Sequence, residues 1–281
     1  MPRRSTAATQ DGFSGWDEYA RYYDWENART IGLRDVAFWQ RTVASVPGRV
    51  VELGCGTGRV LLKTSGVVFR RNTGKRPPRS FPLIGIDRSA PMLAIARRRA
   101  RRQRAAERPE LVRGDIRALP IADASVDLVI APYGILQSLI RDVDLARALT
   151  EAARVLRPGG LFVADLVPDL PRWTPYEGQL RLRGRHGKRT TVTLVETVRQ
   201  DRRRGLTIFD ETFVERSRRT NGRAPSSVTR RFSVTFRTLP FPETRRRLVR
   251  SGFEIDAIYG GYRGQPWTPA SDTWVVRARK R

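Results

Sequence analysis

The sequence is poor in residue types that many enzymes use for metal binding and redox chemistry. Its 281 residues include one cysteine, Cys55, and one histidine, His186. A lone cysteine cannot form an intrachain disulfide, and it excludes a cysteine-ligated metal site or a three-cysteine iron–sulfur cluster. A single histidine excludes a metal centre built on several imidazoles. These chemistries are therefore not expected here.

Long apolar runs are also missing. No uninterrupted stretch approaches the roughly 20 residues that span a bilayer, and the first twelve residues, MPRRSTAATQDG, lack the apolar segment of a signal peptide. We therefore expect a cytoplasmic protein with no membrane partner and a loose tail over 1–15. Because 40% of the residues are hydrophobic, the chain can still bury a core.

Acidic residues are scarce relative to basic ones, and the formal net charge is +26. Only four of the 54 basic residues are lysine, and arginine is spread over the whole chain. A footprint for nucleic acid would be clustered, so we favour a compositional origin and keep nucleic acid as an alternative partner. The densest run, ARRRARRQR (96–104), falls on a predicted helix and is interpreted as a solvated face.

Apolar segments alternate with helical patterns over the first 167 residues. Strands are predicted at 50–53, 83–87, 110–115, 126–133 and 161–167. Helical patterns occur at 16–46, from 58 to 65, from the N-cap Ser89 to about 107, and before Pro158-Gly159-Gly160. Residues 66–82 have no period and are predicted as a surface insertion. This alternation predicts an α/β fold with a doubly wound, mostly parallel sheet.

The pattern changes after 167. A proline-rich loop precedes three alternating segments, at 190–198, 206–215 and 230–239, which predict antiparallel strands. A short helix and two more strands follow. We therefore expect a core over 16–167, an inserted antiparallel lid sheet over 168–240, and a segment over 241–281 that completes the core sheet. His186, flanked by glycines, is predicted as a surface turn residue at a hairpin tip.

The first predicted strand runs into a glycine-rich turn. Gly54, Gly56 and Gly58 form G-x-G-x-G. A dinucleotide fingerprint needs a further glycine where Arg59 stands, and a phosphate-binding P-loop needs G-K-[ST], which does not follow. Arg59 therefore makes a nicotinamide oxidoreductase a weak alternative.

Acidic residues lie at three successive strand ends. Glu52 precedes the glycine turn and suits a cationic group, Asp87 ends the second strand, and Asp115 with Ile116 follows the third. A carboxylate can accept hydrogen bonds from both hydroxyls of a ribose. A carboxylate beside an apolar residue can accept a hydrogen bond from an adenine amino group. Since parallel strands end at one edge of a sheet, these acids describe a ligand with an amino-acid end, a ribose and an adenine.

The motifs VELGCGTGRV, IGIDRSAPML, VRGDIRALP, VDLVIAPYGILQSL and ARVLRPGGLFVADL occur in that order. With them the chain resembles the class I S-adenosylmethionine-dependent methyltransferases. The resemblance implies a Rossmann-like seven-stranded sheet with its last strand antiparallel, and S-adenosyl-L-methionine as cofactor. The implied cofactor contacts are Tyr23, Glu52, Gly54, Cys55, Gly56, Gly58, Asp87, Arg88, Met92, Asp115, Ile116 and Ala131.

Candidates for substrate contact follow the fourth and fifth strands. Tyr133 and Gln137 are the substrate-positioning residues we expect, with Trp173, Tyr176 and Glu177 in the next loop. The segment Ala131-Pro132-Tyr133-Gly134 lacks the paired prolines of enzymes that methylate exocyclic amines of bases. The resemblance therefore implies methylation of N or O on a small metabolite. An RNA or protein methyltransferase and a non-catalytic cofactor-binding protein are the alternatives, and no pattern predicts an oligomeric state.

Overall fold

The computed structural model describes residues 15–70, 83–166, 175–187, 189–217, 225–271 and 273–281, with the backbone alone for 66–70. The helices are α1 (Trp16–Asn27), α2 (Val36–Ala44), α3 (Leu61–Arg70), α4 (Ala90–Ala100), α5 (Asp142–Val155) and α6 (Phe241–Arg250). The strands are β1 (Val50–Leu53), β2 (Leu83–Asp87), β3 (Glu110–Arg113), β4 (Val126–Ala131), β5 (Leu156–Leu166), β6 (Tyr176–His186), β7 (Thr190–Asp201), β8 (Leu206–Ser217), β9 (Ser226–Arg237), β10 (Phe253–Tyr259) and β11 (Trp274–Lys280).

The larger sheet has seven strands in the order β10-β11-β5-β4-β1-β2-β3. Strands β1 to β5 are parallel, and β11 pairs antiparallel with both β5 and β10. The predicted doubly wound, mostly parallel seven-stranded sheet is therefore confirmed. The strand order reverses between β1 and β4, which is where ligands bind in open α/β sheets.

Apolar side chains on both faces of this sheet explain why its strands are parallel and buried. One cluster includes Val51, Leu53 and Val129 on the face covered by α5 and α6, and another includes Val50, Leu128 and Ile130. All four β1 residues are buried. The strand that leads into the glycine turn is thus fixed by packing on both sides.

The second sheet has four antiparallel strands in the order β6-β7-β8-β9. The prediction of three strands missed β6. Its residues are exposed or half-buried throughout, because β6 is an edge strand with many arginines and little apolar alternation. His186 ends β6 at the hairpin, and its ring lies 6.3 Å from that of Tyr22.

Several predicted boundaries near the core sheet were wrong. Helix α3 runs to Arg70, into the predicted insertion at 66–82; residues 71–82 lie outside the described chain. Helix α4 begins at the predicted N-cap, where the Ser89 hydroxyl accepts from the Met92 amide (3.3 Å), but it ends at Ala100 instead of 107. Strand β5 begins at Leu156, so the predicted helix stop at 158–160 is part of a strand.

Strands β3 and β4 each end two residues before the predicted position. The residues after them, Gly114-Asp115 and Pro132-Tyr133, therefore lie in loops at the carboxyl edge of the sheet. Among the described residues, no helix is long and apolar enough to cross a membrane.

Helix α1 packs its aromatic face on the smaller sheet. Tyr22 stacks on Phe213 with ring centroids 4.3 Å apart, and Tyr19 and Trp25 meet Phe213 edge to face. Phe232 of β9 joins the same cluster. These rings are buried because the helix presents them at i, i+3 and i+6 toward one side. The cluster attaches the smaller sheet to the helix.

We expect Phe213→Ala to destabilise the protein by about 3–5 kcal/mol, because it removes a fully buried ring from this cluster. Urea unfolding followed by tryptophan fluorescence measures the change. Val228→Ala, at a side chain that is 42% exposed in the same sheet, is the matched control and should change stability by less than about 0.5 kcal/mol. Equal effects of the two variants would contradict the packing described here.

Candidate functional site

Two adjoining cavities open at the carboxyl edge of the larger sheet. The first, about 550 Å³, is named the glycine-loop cavity because Gly54 and Gly56 line it. The second, about 1130 Å³, is named the inter-sheet cavity because residues of both sheets line it. Both volumes suit a small-molecule ligand. Four aromatic side chains line both cavities: Trp16, Tyr23, Tyr133 and Phe236.

Each glycine of the turn has a left-handed backbone conformation, which residues other than glycine rarely adopt. A Cβ on Gly54 would lie 2.5 Å from Ile135 Cδ1, so this glycine lets the loop after β4 approach. A Cβ on Gly58 would lie 2.9 Å from Leu62 Cδ1, and Gly58 does not line the cavity. Gly58 therefore permits close helix packing, and the cavity wall is formed by the first two glycines.

Asp87 is held at the end of β2 by backbone amides. Its Oδ2 accepts from Gly56 N (2.7 Å) and its Oδ1 accepts from Ser89 N (2.8 Å). Burial raises the pKa of Asp87, and these amide hydrogen bonds oppose that rise. Because a carboxylate has about four lone-pair sites, the oriented group can still accept hydrogen bonds from a ligand in the cavity.

Glu52 is a buried acid with an unsatisfied oxygen. The residue is 3% exposed and lines the glycine-loop cavity, and its Oε2 has no hydrogen-bond partner among the described residues. Burial raises its pKa well above the usual value, while Arg59 opposes the rise. Buried acceptors are nearly always satisfied in native proteins, so this oxygen indicates a ligand that donates a hydrogen bond, such as an ammonium group.

Arg59 stands where a dinucleotide fingerprint would have its last glycine, and its side chain pairs with Asp35. Two parallel hydrogen bonds join them, Nη1 to Oδ1 (2.7 Å) and Nη2 to Oδ2 (2.6 Å). Asp35 is fully buried, and the guanidinium lies 5.2 Å from the Tyr133 ring centre. Sequence reasoning missed Asp35 because nothing in the local pattern connects it with the glycine turn.

Asp115 lines the glycine-loop cavity together with Ile116. Its carboxylate is paired with Arg117, at 3.0 Å from Nε and 2.7 Å from Nη2, and Arg117 also contacts Asp144 (3.0 Å). The Arg117 guanidinium lowers the pKa of Asp115. Asp115 is therefore an ionised, oriented acceptor, and Arg117 is a positioning residue that the sequence pattern did not indicate.

The structure brings together most of the sequence-predicted cofactor residues. Those that line the glycine-loop cavity are Tyr23, Glu52, Gly54, Cys55, Gly56, Asp87, Arg88, Met92, Asp115 and Ile116. Ala131 and Gly58 do not line it: Ala131 is fully buried as the last residue of β4. Burial also raises the pKa of the Cys55 thiol, which disfavours its thiolate form.

The loop after β4 carries the predicted substrate residues. Tyr133 has φ +60°, which is uncommon for a residue other than glycine and typical of functional loops. Asp165 holds the loop by accepting from Gly134 N (2.9 Å) and from the Tyr262 hydroxyl (2.6 Å). Gln137 lines the inter-sheet cavity and donates to the Arg237 carbonyl (3.1 Å).

The other predicted substrate residues that the structure describes lie on the smaller sheet. Tyr176 begins β6, its hydroxyl donates a hydrogen bond to Glu196, and Glu177 is exposed beside it. Trp173 lies outside the described residues.

Three glutamates line the inter-sheet cavity, and the sequence pattern had assigned none of them to a pocket. They are Glu26 of α1, Glu196 of β7 and Glu211 of β8. Burial raises the pKa of Glu26 to about 7, with Glu196 adding to the rise and the hydrogen bond from Tyr19 opposing it. Burial, Glu26 and Glu196 raise the pKa of Glu211 as well.

Comparisons with known proteins agree with this architecture. Residues 50–160 match the family model described as a methyltransferase domain. A demethylmenaquinone methyltransferase of Lactiplantibacillus plantarum is 34% identical over 168 residues, which are 57% of this chain and 65% of that protein. The chain thus spans just under two thirds of the length of this curated relative.

Two solved structures share the fold at low identity. The CcbJ methyltransferase of Streptomyces caelestis is 18% identical with a TM-score of 0.73, covering 94% of this chain and 96% of that one. CalS10 of Micromonospora echinaspora, an amino pentose methyltransferase with bound S-adenosylmethionine, is 19% identical with a TM-score of 0.63, covering 92% and 96%. These neighbours share the doubly wound α/β fold that the ordered motifs predict.

A pH-dependent stability is expected from Glu26. Its pKa in the folded state is above the unfolded value of about 4.5, so the folded protein keeps a proton that the unfolded chain releases. Stability therefore falls as pH rises from about 4.5 to about 7. Glu26→Gln should match the wild type near pH 4.5 and melt higher at pH 8, by about 2–4 °C for each kcal/mol recovered.

Thermal unfolding of the two proteins between pH 4.5 and 8 measures this difference. Glu177→Gln, which neutralises an exposed glutamate of β6, is the control and should follow the wild-type profile. Parallel profiles for Glu26→Gln and the wild type would show that Glu26 has an ordinary pKa.

Proposed function

We propose that this chain carries a class I S-adenosylmethionine-dependent methyltransferase domain. On this premise, the protein transfers a methyl group from S-adenosyl-L-methionine to a nitrogen or oxygen atom of a small metabolite. The observation that carries the proposal is the glycine-loop cavity. It combines an unsatisfied buried carboxylate oxygen of Glu52 with the oriented carboxylate of Asp87, and it adjoins a second cavity large enough for an acceptor.

The residues of the glycine-loop cavity fit this cofactor. Glu52 would accept from its ammonium group, which supplies the donor that Oε2 lacks. Asp87 would accept from the ribose hydroxyls, and Asp115 with Ile116 would hold the adenine. Tyr23, Cys55, Arg88 and Met92 line the remaining wall. The shared fold of CalS10, whose structure contains S-adenosylmethionine, supports this assignment.

The aromatic residues between the cavities suit methyl transfer. S-adenosylmethionine, when bound, supplies a methyl group activated by a sulfonium. Tyr23 and Tyr133 line both cavities, and their faces favour a neighbouring cation. Orienting an acceptor against the donor provides much of the rate enhancement in such reactions. We assign this orienting role to Tyr133 and, through its position in the inter-sheet cavity, to Gln137.

The smaller sheet supports a small-molecule acceptor. Together with α1 it forms part of the wall of the inter-sheet cavity, and this wall includes buried glutamates. Such a wall disfavours a polyanion. Arginines of the basic run also have internal partners: Arg99 pairs with Asp24 (2.7 Å), and Arg97 donates to the Leu111 carbonyl (3.2 Å). We therefore propose the segment 168–240 as a lid over the acceptor and do not propose RNA or protein as the substrate.

Asp87→Ala should weaken S-adenosylmethionine binding about 100-fold or more, because it removes the carboxyl group proposed to accept from the two ribose hydroxyls. Isothermal titration calorimetry measures the affinity, and circular dichroism checks the fold. Asp123→Ala removes an acid whose side chain is 76% exposed in an ion pair with Arg154, so it serves as the control with wild-type affinity. Unchanged affinity in Asp87→Ala would count against the assigned site.

The acceptor class can be identified with a methyl-labelled donor. We expect label in the small-molecule fraction of a cell extract incubated with the protein, because the wall of the inter-sheet cavity carries buried glutamates that disfavour a polyanion. Fractionation into small molecules, RNA and protein, followed by scintillation counting, locates the label. Incorporation confined to RNA or protein would contradict the proposed substrate class.

A further inference from the structure

Two of the cavity glutamates occupy an unfavourable arrangement in the smaller sheet. Glu196 of β7 and Glu211 of β8 are directly opposite each other in the antiparallel pairing. They are 8% and 5% exposed, and both line the inter-sheet cavity. Like charges directly opposite are destabilising in a sheet, and burial adds a further cost. Packing alone would favour apolar residues at both positions.

The third glutamate brings another acid to the same place. Glu26 extends from α1 into the cavity and accepts a hydrogen bond from the Tyr19 hydroxyl. Its charge and that of Glu196 both raise the pKa of Glu211, as expected for neighbouring carboxylates. We name Glu26, Glu196 and Glu211 the glutamate cluster.

The members of the glutamate cluster differ in how well they are satisfied. Glu196 accepts from the Tyr176 hydroxyl and lies 3.3 Å from Arg181 Nε. Glu211 Oε2 is buried without a hydrogen-bond partner in the described part of the chain. Glu211 is therefore the cavity-lining member of the cluster whose carboxylate keeps an unsatisfied oxygen.

Among the described residues, a threonine hydroxyl is a second unsatisfied polar group in the wall of the inter-sheet cavity. Thr207 is 1% exposed and lines the inter-sheet cavity, and its Oγ1 has no hydrogen-bond partner among the residues described. It lies four positions before Glu211 on β8 and so points to the same face of the sheet. An acid and a hydroxyl, both buried and unpartnered, indicate a polar ligand between them.

The cluster lies close to the junction of the two cavities. Glu26 accepts a hydrogen bond from the Tyr19 hydroxyl, and the Tyr19 ring centre lies 6.1 Å from that of Tyr23. Tyr23 and Tyr133 line both cavities. A group bound by the cluster therefore occupies the cavity that these two tyrosines join to the glycine-loop cavity.

We propose that the glutamate cluster binds the amino group of the methyl acceptor, so that the substrate is a primary or secondary amine and Glu211 is the residue that contacts its nitrogen. This inference rests on the proposed methyltransferase function. An ammonium group donates the hydrogen bond that Glu211 lacks and neutralises part of the clustered charge. Among the described residues no group of acids is arranged to hold a metal ion, so an organic cation is the fitting occupant.

The cluster also accounts for the proton that amine methylation must release. The substrate ammonium gives one proton to the Glu211 carboxylate, which leaves a neutral amine with a free lone pair. The nitrogen then bonds to the methyl carbon while the carbon–sulfur bond breaks and its electron pair stays on sulfur as a thioether. The product is an N-methylammonium, and the proton on Glu211 passes to solvent. An alcohol would bring no cation to offset the buried charges.

A matched pair of ligands tests the amine preference. The probes are trans-4-aminocyclohexanol and trans-cyclohexane-1,4-diol, which share a ring and differ by the amino group. Calorimetry on the full chain saturated with S-adenosylmethionine at pH 7.5 should detect binding of the amine and at least tenfold weaker binding of the diol. Equal affinities, or no binding of the amine, would overturn the proposal.

Substitutions at neighbouring positions of β8 test whether Glu211 binds the amine. Glu211→Gln should weaken binding of the aminocyclohexanol at least tenfold, and Glu211→Asp should restore part of it. Asp210→Asn removes the same charge one position away, where the carboxylate pairs with Arg199 (2.7 Å) and Ser233 (2.8 Å), and should bind as the wild type does. Unchanged amine affinity in Glu211→Gln would overturn the assignment.

Two further measurements separate this inference from the proposed function. The affinity for S-adenosylmethionine, measured in the same calorimeter, should be unchanged in Glu211→Gln; a wild type that does not bind this cofactor would refute the methyltransferase proposal itself. Mass spectrometry of the product formed from the labelled donor should show the methyl group on nitrogen. A methyl group on oxygen would overturn the amine inference and leave methyl transfer intact.

Discussion

The arrangement of both cavities depends on helix α1, which contacts the smaller sheet and also the glycine turn and α4 of the core. Tyr19, Tyr22 and Trp25 pack on the smaller sheet, and Asp24 on the next turn accepts from the Thr57 hydroxyl (2.8 Å) and pairs with Arg99 of the core. Tyr23 lies 3.9 Å from where a Cβ of Gly56 would stand. Because one helix is a wall of both cavities, its packing sets their separation, and the aromatic junction between them follows from it.

The buried acidic side chains of the two cavities lower the stability of the fold. Glu52, Asp165 and Glu211 are each at most 5% exposed, and burial raises the pKa of all three. Such groups weaken a fold unless they are paired or hydrogen-bonded, and two of them carry an unsatisfied oxygen. Stability is supplied elsewhere, by the buried parallel strands and the aromatic cluster. The acids with open oxygens face cavities, which is where ligand binding can offset their cost.

The core sheet and the glycine turn could be predicted because their signals are local. Continuous apolar strands, an N-cap at Ser89 and acids at strand ends depend on residues close in sequence, and parallel strands bring their carboxyl ends to one edge. The errors arose where tertiary contacts decide. Strand β6 has little apolar alternation and is an edge strand defined by its pairing with β7. Strand β5 begins at Leu156 because this residue pairs with Val126 of β4, and 158–160 lie at the register shift before the pairing resumes at Leu161.

The sequence by itself determined the fold class, the glycine turn and which acids meet around the first cavity, because each follows from periodicity and from the ends of neighbouring strands. Only the tertiary structure decided the second cavity. Its glutamates come from α1, β7 and β8, and Asp35 reaches Arg59 from outside the glycine turn. No local pattern encodes such meetings, because each joins residues of different elements that only tertiary packing brings together. The chemistry of the acceptor site is therefore a property of that packing.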